Sequence, residues 1–112
     1  MAKKSFPQDM DLITAVVRTS LAEDVLQAAM RAGAPGITYF PAQGTGVKEG
    51  LGYAGSLIEH EKKALWIVVK KQDTQKVLAA IVDAANLSLP GEGFAYVQPV
   101  TYAVGFVPPS QA

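Results

Sequence analysis

Cysteine is absent from the 112 residues, so disulfides, thiolate catalysis and cysteine-ligated zinc are excluded. A surplus of either charge is absent too. Lys plus Arg and Asp plus Glu each number ten, for a formal net charge of zero. Nucleic-acid binders normally carry a basic excess on one face, so no nucleic-acid partner is expected, although a small basic pocket remains compatible. A neutral chain also has little self-repulsion to oppose association of its copies. No apolar run approaches the roughly 20 residues needed to span a bilayer, so no membrane insertion is expected. The opening MAKKSFPQDMD has lysines but no apolar stretch of signal-peptide length behind them. A soluble, cytoplasmic protein is therefore expected. His60 is the single histidine, and no serine or threonine has an obvious partner base. The acidic neighbours Asp9 with Asp11 and Glu23 with Asp24 fall at expected termini and caps. No catalytic constellation is legible, and the chain reads as a non-enzyme.

With 49% hydrophobic and 18% charged residues, the composition is that of a globular domain with one core, spanning residues 1–112. Residues 1–9 read as a loose arm containing Pro7. MDLITAVVR, residues 10–18, reads as a buried strand. Ser20 and Glu23 have capping-box spacing, followed by Leu21, Val25, Ala28 and Ala32 on one helical face. Gly33 and Pro35 end that helix. A second strand is expected over 36–43 and a third over 61–70. A helix follows from Gln72 to Asn86, with Asp73 as N-cap and Val77, Ile81 and Ala84 as its apolar stripe. FAYVQPV is a fourth strand, with TYAVGF as a possible continuation before a tail at 108–112. Between the second and third strands, GTGVKEGLGYAGSLIEH (residues 44–60) holds five glycines and no sustained period. A loop of that length in a compact domain is usually functional.

The order strand–helix–strand, long loop, strand–helix–strand is the ferredoxin-like βαββαβ pattern of an α+β sandwich. Both helices should cover one face of an antiparallel sheet. The strands are apolar on both faces, with Leu12, Thr14 and Val16 alternating with Ile13, Ala15 and Val17, and Trp66 and Val68 with Leu65, Ile67 and Val69. Such runs imply burial on both sides, and another copy of the chain is what remains to cover the second face. A closed homo-oligomer is expected. Trp66 itself is expected in core or inter-subunit packing.

Several segments, in order, carry a family likeness: RTSLAEDVLQAAMRAG, AGAPGITYFPAQGTG, EKKALWIVV and NLSLPGEG. Together they span nearly the whole chain and resemble the PII signal-transduction family. That resemblance implies a compact homotrimer that binds adenine nucleotides in clefts between subunits. It also implies a protruding T-loop that engages a partner protein such as a membrane transporter or a metabolic enzyme. Thr38, Gly44, Thr45, Gly46, Lys62, Gly91 and Gly93 match positions of the nucleotide cleft, and residues 44–60 match the T-loop. Lys48, Tyr53, Leu57 and Ile58 are its candidate partner contacts.

The chain departs from the family pattern where phosphates are gripped. Val47 and Lys48 stand where the family has an arginine and then a glutamine. Phe94 replaces a lysine, and Gly105 and Val107 replace two arginines. Hydrogen bonds to charged groups contribute on the order of 1.5–3 kcal/mol each, so these losses are enough to take a micromolar triphosphate site toward millimolar. Sensing of ATP and 2-oxoglutarate is expected to be weakened or lost, leaving ADP, AMP or ATP as candidate effectors of a divergent member. Four alternatives stay open. The GTG and PGEG glycines can be plain turns. Lys48, Lys62, Lys63, Lys70 and Lys71 can be a solvated strand edge instead of an anion site. His60, between Glu59 and Glu61, is a weak metal candidate, which would make the chain similar to the trimeric divalent-cation tolerance proteins. An effector-free structural trimer is the remaining alternative.

Overall fold

A computed structural model describes residues 9–44 and 60–105. It contains β1 (Met10–Arg18), α1 (Thr19–Arg31), β2 (Thr38–Gly44), β3 (His60–Lys70), α2 (Lys71–Ala84) and β4 (Gly93–Val100). The four strands form one sheet in the order β2-β3-β1-β4, every pair antiparallel. This is the ferredoxin-like βαββαβ arrangement. The register is continuous: Thr14 lies opposite Trp66 on β3 and Tyr96 on β4, and Trp66 lies opposite Thr38 on β2.

Period-two alternation sorts the strand residues. Ile13, Ala15 and Val17 of β1 and Leu65, Ile67 and Val69 of β3 point to the helices and are fully buried. They meet Ala22, Val25 and Ala29 of α1 and Val77 and Ile81 of α2 in one core. Small alanines on α1 let that helix sit close to the sheet, while branched residues on α2 and the strands fill the volume between. The opposite face carries Leu12, Thr14, Val16, Ala64, Val68 and the aromatics Phe40, Trp66, Phe94 and Tyr96. Each of the four aromatics is at least 36% exposed.

Both helices start without a linker. Arg18 and Lys70, each in extended conformation, are the N-caps, and neither helix has a side-chain cap hydrogen bond. The expected Ser20–Glu23 capping box is therefore not formed, because Ser20 already lies inside the first turn; Glu23 instead accepts a bond from Gln27. Asp73 likewise lies within the first turn of α2 and is not its cap. There it favours the positive helix end. The buried face of α1 is Ala22–Val25–Ala29, offset by one residue from the expected Leu21–Val25–Ala28–Ala32 stripe. Past the helix, Gly33 takes φ 119° while the Ala34 N–H bonds the Ala29 carbonyl, so the turn is closed as expected. β4 ends at Val100, and residues 101–105 do not extend it. The expected tail, nearly all of the expected arm and residues 45–59 of the expected loop lie outside the described residues.

Candidate functional site

The exposed face of the sheet opens into a cleft of about 560 Å³ beside β2. Pro35, Gly36, Ile37 and Thr38, at the entry to β2, form one wall. Leu12, Trp66 and Val68 form the sheet side, and Gly105 brings the segment after β4 to the rim. The local sequence explains the opening. Ala34 is buried beneath α1's end, Pro35 stiffens the chain, and Gly36 has no heavy atom within 4 Å of where a Cβ would stand. Trp66 is 50% exposed, and its ring meets that of Phe40 in a T-shaped contact, with centroids 4.9 Å apart at 67°. Among the described lining residues none is charged, and the polar side-chain groups are the Thr38 hydroxyl and the Trp66 indole N–H.

A second set of groups gathers at the far end of the sheet. Arg18 lies opposite Lys62, and Lys62 lies opposite Ala42. The Arg18 Nε donates to Glu92 Oε1 at 2.9 Å, fastening the end of β1 to the turn before β4. Gly93 follows with φ 140°, at a place where a Cβ would lie 2.1 Å from the Val16 carbonyl oxygen. The close approach of that turn to β1 thus requires glycine, which is stronger than the plain-turn reading of PGEG. Lys62 is only 7% exposed and sits on a central strand, not on a solvated edge. Lys62 and Lys70 each have an interaction partner, and Lys63 lies over the Tyr39 ring at 5.8 Å.

A third cluster is structural. Asp11 accepts from Lys71 Nζ at 2.6 Å and from Thr74 Oγ1 at 2.7 Å. Those two hydrogen bonds, reinforced by the Lys71 charge, hold its carboxyl below the ordinary value despite the opposing effect of burial. Asp11 was expected at a terminus; it lies inside β1, 8% exposed, and ties the sheet to the first turn of α2.

The expected site residues therefore divide. Thr38 lines the cleft. Lys62, Gly91, Gly93 and the backbone of Gly44 belong to the far end. Trp66 and Lys62 are four residues apart on one strand, about 13 Å at the usual rise per residue. Within one protomer the two sets do not converge. Thr45, Gly46, Lys48, Tyr53, Leu57 and Ile58 lie outside the described residues. The backbone of His60 pairs with Gly44, and among the described residues no group of three or more His, Asp or Glu gathers as a metal site. Sequence reasoning missed Arg18, Glu92 and the cleft role of Trp66. The alternation of β3 signalled the last of these, since Trp66 falls out of phase with Leu65 and Ile67. The contact of Arg18 with Glu92 joins residues 74 apart in the chain, and no local pattern announces it.

This geometry defines a small ferredoxin-like domain with an apolar cleft on its open sheet face and a glycine-and-cation end beyond it. The sequence profile of the family described as nitrogen regulatory protein P-II matches residues 10–106. The nitrogen fixation nifHD region GlnB-like protein 1 of Methanothermococcus thermolithotrophicus is 30% identical over 96 residues, covering 84% of this chain and 90% of that protein. The crystal structure of Arabidopsis thaliana PII bound to citrate superposes with a TM-score of 0.63 at 26% identity, covering 84% of this chain and 79% of that one. The chain belongs to the PII family, as a divergent member. It is accordingly a signal-transduction regulator and not an enzyme. No described helix is long and apolar enough to cross a membrane.

Proposed function

We propose that the protein works as a homotrimer whose inter-subunit clefts bind a small effector, and that effector binding controls a partner protein through the T-loop of residues 44–60. One observation carries this reading. The cleft wall at Thr38, Trp66 and Val68 lies at and beyond the middle of the sheet, while Lys62 and Gly93 lie at one end of it, about 13 Å away along β3. A compact effector reaches only one of these sets within a protomer, which favours completion of the site by a second copy. The exposed aromatic face supplies the apolar surface on which copies pack. Citrate is present on the Arabidopsis protein by its description, which fits a fold able to hold small anions. Here Glu92 already engages Arg18, so the response to a triphosphate is weakened relative to less charged adenine nucleotides. The effector changes the partner's affinity only through T-loop contacts that differ between the bound and free states. The partner is a transporter or a metabolic enzyme.

The test is calorimetric titration with ATP, ADP and AMP, with and without magnesium and bicarbonate, on protein whose mass is followed by light scattering. A trimer that binds at least one of these supports the reading. A persistent monomer, or a trimer indifferent to all of them, overturns it. Deletion of residues 51–57 should spare the trimer and abolish partner capture; an intact complex after that deletion would remove the T-loop from the mechanism.

A further inference from the structure

The two helices leave a groove of about 400 Å³ between them on the solvent side. Ala28 and Ala32 of α1 and Ala80 and Ala84 of α2 line it, each pair one helical turn apart, and their methyl groups are too small to fill the trough. Asp24, Gln27 and Arg31 of α1 and Asp83 of α2 form its exposed rim. Among the described residues, the side chains of Asp24, Arg31 and Asp83 have no hydrogen-bond or ion-pair partner. The rim charges are ordered along the groove. A Cβ at Gly33 would stand 3.8 Å from Asp73 Cγ, so the end of α1 adjoins the start of α2. From that junction Arg31 lies about 3 Å along α1, whereas Asp24 lies about 14 Å along α1 and Asp83 about 15 Å along α2, at the usual rise per residue. The groove is basic near the junction and acidic at its far end.

The chain enters the fold beside the same junction. The Asp9 carbonyl accepts from the Lys71 N–H at 3.1 Å, which holds the start of β1 against the first turn of α2. Residues 1–8, MAKKSFPQ, precede it and carry two lysines, one aromatic and no acid. Along an extended chain Phe6 is about 10 Å from Asp9, Lys4 about 17 Å and Lys3 about 20 Å. The first distance reaches the middle of the alanine floor. The other two reach the acidic far end with length to spare for a turn back over the helices. We propose that residues 1–8 of this chain are the occupant of the interhelical groove, with Phe6 on the alanine floor and Lys3 and Lys4 beside Asp24 and Asp83. The floor gains an apolar cover and the two carboxylates gain cations. This surface lies on the helix layer, apart from the open sheet face, and its occupancy does not depend on an effector.

The absence of cysteine makes the test direct, because Ser5→Cys gives the full chain one thiol for a nitroxide label. Paramagnetic broadening of amide signals then maps where the arm lies. Strong broadening is expected at Asp24, Ala28, Ala80 and Asp83, and none at Thr14 or Val68 on the open sheet face. Lys3→Glu/Lys4→Glu should lower the broadening at Asp24 and Asp83 about fivefold, and added salt should lower it in the parent chain. Combining that pair with Asp24→Lys/Asp83→Lys should restore it. These substitutions lie on the arm or the exposed rim, and the unbroadened amide spectrum reports whether each variant is folded. Refolding isotope-labelled chains that lack the nitroxide with nitroxide-bearing chains that lack the isotope detects an arm reaching a neighbour. Broadening of the groove only in that mixture overturns docking within one chain. A groove untouched by the label in the full chain, or one broadened equally before and after charge reversal, overturns the proposal as well.

Discussion

Gly93→Ala is the substitution whose effect follows most directly from the geometry. Gly93 has φ 140°, and a Cβ built there lies 2.1 Å from the Val16 carbonyl oxygen, 3.1 Å from its carbon and 3.3 Å from Leu87 Cδ2. The first distance is far inside van der Waals contact with a backbone atom, which cannot swing aside as a side chain would. Relief requires the turn to withdraw from β1, and Val17 is the ladder partner of Gly93. The backbone conformation alone costs about 1–3 kcal/mol for a residue with a Cβ. Losing the terminal ladder pair adds about 1 kcal/mol. The expected destabilisation is therefore about 3 kcal/mol, a large share of the roughly 5–15 kcal/mol that holds a typical domain together. Urea unfolding at fixed protein concentration measures it, since assembly contributes to apparent stability. Glu92 should move with the turn, so the Arg18 ion pair is lost as well. Gly36→Ala is the control: its Cβ meets nothing within 4 Å, and its effect should stay within about 0.5 kcal/mol. A loss below about 1 kcal/mol for Gly93→Ala would refute the packing of this turn against β1.

Asp11 sets a pH dependence. Its carboxyl is depressed in the folded chain by hydrogen bonds from Lys71 and Thr74, so the unfolded state binds protons more readily. The resulting stability is fully present above the unfolded value of about 3.9 and is lost as pH falls through the lower folded value. Asp11→Asn should cost about 1–2 kcal/mol at neutral pH, discounted because Lys71 is 45% exposed. The variant should also flatten the acid limb of a thermal-melt series below about pH 4; an unchanged acid limb would show that other carboxylates govern it. Glu92→Gln should change stability by less than about 1 kcal/mol, because the pair is partly exposed. It releases Arg18, so ATP affinity should rise severalfold in low salt and fall back as salt is added, with little change for adenosine. Equal gains for both ligands by calorimetry would separate Arg18 from phosphate selectivity.

The fold was legible because its signals are local. MDLITAVVR carries its own boundaries and is β1 residue for residue. Gly33 and Pro35 mark the end of α1, and Val77 and Ile81 mark the buried stripe of α2. The helix starts were not legible, and both failed for one reason. Ser20 and Asp73 are residues that cap helices well, but each strand runs straight into its helix through an extended basic residue, Arg18 or Lys70. The cap position was already taken two residues upstream of Ser20 and three upstream of Asp73. Lysine in β3 misled in a related way. A run such as EKK suggests an edge, yet β3 lies between β2 and β1, and strand order is a property of pairing across the sheet that no window of sequence contains.

The site was half legible for the same reason. Thr38, Gly91 and Gly93 stand in recognisable motifs, but whether they converge depends on register. The register places Thr38 opposite Trp66 in the middle of the sheet and Gly93 opposite Val17 at one end. Within one protomer the two sets of residues stay apart. The aromatic face joins them conceptually: Phe94 and Tyr96 stack at 6.2 Å on β4, Phe40 and Trp66 meet across β2 and β3, and all four face away from the helices. Left in water, that much exposed aromatic surface is a standing drive to associate. Covering it with a second copy satisfies the surface, and the same contact can set the glycine-and-cation end of one subunit against the cleft of the next. On the proposed reading, assembly and effector binding depend on one surface. Conservative changes at Phe94 or Tyr96, which lie outside the cleft lining, should therefore weaken the two together, with affinity falling in proportion to the trimer lost.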